Sequence, residues 1–136
     1  MKAMRLVLAA VALAPFASAQ ACGACAEDKV AATYDHAIAS RAASQGRTMV
    51  FCEVRGPFDA RRLKAAAARI DGLDPASLRT SANPATVSFA LDSRKVSTPT
   101  ALKRLQAAVP SGTQLLVVRL PGGRNAGAIA GVSATR

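Results

Sequence analysis

The sequence predicts an α+β fold in which one helix precedes a βαββαβ unit, with two helices on one face of a four-stranded antiparallel sheet. Three observations carry this expectation. Residues 47–55 and 85–91 alternate apolar and polar side chains with the period of two that marks strands. Residues 59–70 and 98–109 carry apolar stripes at helical spacing, each behind a start signal. Turn residues, Gly56-Pro57, Asp71-Gly72, Asn83-Pro84 and Pro110, separate these segments.

The elements can be justified in chain order. Met1 to Arg5 is a short basic region, Leu6 to Phe16 is apolar, and Ala17-Ser18-Ala19 is a small-residue cleavage site. That order predicts a secretory signal peptide over 1–19, with Gln20 as the new N-terminus. Cleavage after Ala21 would place Cys22 first, as in a bacterial lipoprotein. Gln20, and the lack of a Leu three residues before Cys22, argue against it. The expected location is the bacterial periplasm or cell exterior, and no second apolar run is long enough to span a bilayer.

Residues 20–46 form a Cys-x-x-Cys segment and a helix. From Ala24 to Ser44, the residues Val30, Tyr34, Ala37, Ile38 and Arg41 share one helical face. Glu27 and Asp28 favour its positive N-terminal end, Lys29 and Arg41 are expected to be wet, and Gly46 stops it. Arg47 to Arg55 is the first strand, with Val50, Cys52 and Val54 on its apolar side and Phe51, Glu53 and Arg55 on a mixed one. Asp59 is the predicted N-cap of a helix burying Leu63, Ala66, Ala67 and Ile70, which leaves Arg61, Arg62, Lys64 and Arg69 to solvent. Ser77 to Ala82 is a weaker strand, and Ala85 to Leu91 is a clean one. Thr98-Pro99 reads as cap and first helical residue of a helix burying Leu102, Leu105, Ala108 and Val109. Gln114 to Leu120 is nearly all apolar, as an interior strand would be. Pro121 to Arg136, rich in Gly and Ala, is expected to form a flexible tail. The resulting arrangement over 47–120 is ferredoxin-like.

Composition narrows the function. Lys and Arg total 18 against 8 acids, a formal charge of +10, which favours acidic partners. The arginines are spread over helices without interleaved aromatics, which argues against specific nucleic-acid recognition and leaves weak attraction to an anionic membrane surface. No nucleophile–base set or phosphate-binding glycine loop stands out, so the sequence does not read as an enzyme.

The chemistry-bearing residues are the cysteines. Cys22 and Cys25, three apart, suit one soft cation, Cu(I) first among them. A helix start at Cys25 would favour the thiolate. The same pair suits a structural disulfide or a redox disulfide, and spacing alone leaves all three open. Cys52 is expected in the core. The sole histidine, His36, lies 11 residues after Cys25, about 16 Å along a continuous helix, too far to share an ion with it. Met49 reads as packing.

Residues 47–120 resemble the heavy-metal-associated domain of copper and mercury chaperones. The resemblance lies in the βαββαβ order, in Val54-Arg55-Gly56 ending the first strand, and in Asn83-Pro84-Ala85-Thr86-Val87-Ser88-Phe89 across the second turn. It implies a soft-metal binding or transfer role with a metal-accepting partner protein. The family carries its metal pair as Gly-Met-x-Cys-x-x-Cys after the first strand. Matching from Gly56 puts Asp59 and Arg62 at the two cysteine positions. A carboxylate is a hard ligand and a guanidinium is none, so that loop would not hold Cu(I) or Hg(II). Either metal binding is lost, or the thiol pair has moved to Cys22 and Cys25.

Overall fold

A computed structural model describes residues 25–118. Its elements are α1 (Ala26–Ala31), α2 (His36–Ser44), β1 (Thr48–Arg55), α3 (Ala60–Ala67), β2 (Leu73–Ala82), β3 (Ala85–Leu91), α4 (Thr98–Gln106) and β4 (Gln114–Val117). The strands make one sheet in the order β2-β3-β1-β4, every neighbouring pair antiparallel. The fold is ferredoxin-like, with added N-terminal helices. The expected signal peptide, Cys22 and the 121–136 tail lie outside the described residues.

Alternation along β1 decides what covers each face. Val50, Cys52 and Val54 point into a core with Leu63 of α3, Leu105 of α4 and Phe89 of β3. Met49 and Phe51 point the other way, into a smaller core with Val30 of α1 and Ile38 and Ala42 of α2. The side of β1 expected to be mixed is therefore buried at Met49 and Phe51 and opens to solvent through Glu53 and Arg55. The result is three layers, α1/α2, sheet and α3/α4, and burying both faces compensates for a domain with few large side chains.

The N-terminal segment departs from the continuous helix expected over 24–44. It breaks at Thr33-Tyr34-Asp35, where Asp35 leaves the helical region and its carboxylate accepts the Ile38 N–H at 3.1 Å. Asp is a stronger cap than an interior helical residue, so a new helix starts there. The break rotates the face: Val30, Ile38 and Ala42 are buried, while Tyr34 and Ala37 are exposed, as is Arg41, which was expected to be wet. Ser88 of β3 donates to the Thr33 carbonyl at 3.0 Å and ties the connector to the sheet.

Three smaller differences have local causes. β2 begins at Leu73 rather than Ser77, with a register shift between Asp74 and Arg79. Pro75 has no N–H for the ladder, and the buried Ser77 hydroxyl bridges the gap by donating to the Asp74 carbonyl and accepting from the Ala90 N–H at 2.7 Å. Ser97, not Thr98, caps α4, its hydroxyl accepting the Thr100 N–H at 3.3 Å. β4, expected as an interior strand, pairs with β1 alone among the described residues. Its apolar run is half covered: Leu115 is buried, whereas Leu116 and Val117 are exposed.

Candidate functional site

Cys25 occupies the N-cap position of α1, is exposed, and is unbridged among the described residues. Its backbone N–H donates to the Asp28 carboxylate at 3.2 Å, which closes the first turn. A helix this short is held by what it packs on. Val30 is buried in the α1/α2 core. Lys29, expected to be wet, bonds Glu53 of β1 at 2.9 Å. Lys29 donating to the Glu53 carboxylate is the main reason that group sits below its ordinary pKa, with Arg55 adding to it against the cost of burial. Cys25 is therefore presented from a short helix anchored to the sheet.

Cys52 is in a different world. It is fully buried among the α3/α4-side residues, as the sequence reading expected. Cys25 belongs to the layer on the opposite face, so the sheet lies between the two sulfurs. Cys52 cannot serve as a third ligand to an ion held at Cys25 without unfolding that sheet.

Burial pushes the Cys52 thiol up from 9.0 to about 12. The unfolded chain then loses this proton first, which fixes the sign of a pH effect. Stability is unaffected by Cys52 below about pH 9, and it falls as pH rises from about 9 to about 12, by up to about 1.4 kcal/mol per unit. Urea unfolding of reduced protein at about pH 8 and about pH 10 should show this fall, and Cys52→Ala should lack that component. Equal slopes for the two chains would contradict the buried-thiol assignment.

The loop after β1, from Gly56 to Asp59, is closed by its own hydrogen bonds. Asp59 accepts the N–H groups of Arg61 at 2.8 Å and Arg62 at 3.3 Å, so its carboxylate is the cap of α3. Gly56 has φ +109°, and a Cβ there would lie 2.9 Å from Thr113 Oγ1. That hydroxyl donates to the Pro57 carbonyl at 2.6 Å and binds the loop to the segment before β4. Arg62 is exposed.

His36 opens α2 at the surface, its two ring nitrogens each 3.5 Å from a hydroxyl, Tyr34 and Ser40. The helix break removes the straight 16 Å path assumed between Cys25 and His36, yet the structure does not bring them into a ligand group. Among the described residues no three His, Cys, Asp or Glu side chains converge as a metal set. Met49 packs in the core as expected.

One feature escaped the sequence reading. An open cleft of about 470 Å³ lies between α3 and α4, floored by Ala66, Ile70, Ala107 and Ala108 and flanked by Arg69 and Arg104. The sequence carries a signal for its cationic surroundings, since α3 and α4 contain no carboxylate, but none for the cleft itself. No helix among the described residues is long and apolar enough to cross a membrane. Comparison of the chain with protein-family models, with curated proteins and with solved structures gave no match.

Proposed function

We propose that this chain is an exported, non-enzymatic protein that binds a soft metal ion, Cu(I), through Cys22 and Cys25 and passes it to a partner protein, in the manner of the heavy-metal-associated domains it resembles. The single observation that supports it is the exposure of the Cys25 thiol on an anchored helix start, with Cys22 three residues before it in sequence. Two thiolates on one short segment can hold Cu(I) in near-linear coordination, a geometry that asks for no third protein ligand. Transfer would proceed by ligand exchange, an incoming thiolate replacing an outgoing one. The signal-like N-terminus supports a periplasmic or extracellular setting for this chemistry.

A second reading has its own support. The loop used by the family is capped by Asp59 and pinned by Thr113, so the domain on that side reads as a protein-interaction module that has lost metal binding. In that case the cysteines are a structural bridge or, at a higher reduction potential, a redox disulfide.

Titration of reduced protein with Cu(I) against a competing chelator separates these. The expected result is one-to-one binding that disappears in the Cys22→Ser/Cys25→Ser variant. Stoichiometric binding that survives in the variant, or no binding by either chain, would sink the proposal, and the latter would leave the interaction module.

A further inference from the structure

Cations occur on both sides of this domain, but carboxylates do not: α3 and α4 carry none, and Asp74 and Asp92 are paired with Arg47 and Arg94. Arg61, Arg62, Lys64, Arg69, Lys103 and Arg104 lie on or next to α3 and α4, and all six are exposed. None of them is ion-paired with another described residue. The two carboxylates that border this face are already engaged. Asp59 caps α3, and Asp71 accepts Lys95 at 3.2 Å. Glu27, Asp28, Asp35 and Glu53 belong to the opposite side, with α1, α2 and the strand face beneath them. The cleft between Arg69 and Arg104 lies within the cationic layer.

We propose that the outer face of α3 and α4 docks on an anionic lipid bilayer, with Arg69 and Arg104 holding a headgroup phosphate in the cleft between them. The chemistry of the face selects this occupant. Protein interfaces centre on aromatic or large apolar anchors, and the large apolar side chains exposed among the described residues, Tyr34, Leu116 and Val117, are on the α1–α2 connector and on β4. Single-stranded nucleic acid needs stacking aromatics, and α3 and α4 carry none. What the face offers is a spread of point charges without a hydrophobic wedge, matched to a laterally mobile array of phosphates. Guanidinium groups bind phosphate through paired N–H donors, and the small alanine floor leaves room for a headgroup. Cys25 belongs to the layer on the other side of the sheet, so the docking stands whether or not the chain binds metal.

The test is co-sedimentation of the chain from Gln20 onward with vesicles of phosphatidylcholine mixed with phosphatidylglycerol, against phosphatidylcholine alone. Binding to the anionic vesicles is expected, and it should weaken with salt. Arg69→Gln/Arg104→Gln should reduce it about 25-fold, from about fivefold per surface cation. Circular dichroism serves as the check that this exposed pair leaves the fold intact. Arg41→Gln/Arg55→Gln, an equal loss of charge on the α1/α2 side, should reduce it much less. Equal reductions by the two pairs would show attraction by net charge alone and overturn the assignment of the face. Release by inorganic phosphate but not by chloride at matched ionic strength would make the cleft a soluble-anion site. Tighter binding to duplex DNA than to vesicles at the same salt would overturn the lipid assignment.

Discussion

Phe89→Ala is expected to lower the free energy of unfolding by about 3–5 kcal/mol, a large part of the about 5–15 kcal/mol typical of such domains. Phe89 sits on central strand β3 opposite Val50 of β1 and is fully buried in the α3/α4 core. The sequence has only four Phe, one Tyr and no Trp, so each large ring carries an unusual share of the buried apolar area. Stiff strands on both sides of the ring limit collapse into the vacated space. The cavity term therefore adds to the transfer term. Chemical denaturation followed by circular dichroism measures it. A loss under about 1 kcal/mol would mean that the ring is not enclosed on this face of the sheet.

Phe51→Ala should cost about as much at its own site yet act differently. Phe51 faces the opposite layer, where it is the one aromatic among Val30, Ile38, Ala42, Met49, Ala90 and Val118. The partners of the lost ring are mostly small, and α1 and α2 are too short to persist without packing. Local release of residues 26–44 is the expected response, with the βαββαβ unit still folded. Hydrogen exchange reads this directly: amides of α2 should lose nearly all protection, while those of β1, β3 and α3 keep most of theirs. Uniform loss across α2 and α3 would show a single cooperative unit instead. The variant also separates presentation from ligation, because both thiols remain while the helix that positions Cys25 is freed.

Much of the βαββαβ unit was legible because its signals are local. Alternation in 85–91, Asp59 as a cap and the stripe through Leu63, Ala67 and Ile70 all depend on near neighbours in sequence. The N-terminal segment was misread as one helix because its apolar spacing runs on through Tyr34 and Ala37. The competing preference of Asp35 for a cap, reinforced by Ser88 holding the Thr33 carbonyl, is a contest that periodicity does not weigh. The start of β2 was missed because its irregular stretch uses a serine hydroxyl where the ladder would use backbone.

By itself the sequence determined the fold class, the burial of Cys52, the capping role of Asp59 and the absence of thiols from the loop after β1, since residue identity and short-range pattern are enough for each. Only the tertiary structure decided that Cys25 and Cys52 lie on opposite faces of the sheet, that β4 pairs with β1 alone among the described residues, and that Arg69 and Arg104 line one cleft. Those relations join residues far apart in the chain. They are set by which strand pairs with which and by which helix covers which face, and these depend on burying the whole set of apolar surfaces at once rather than on any one segment.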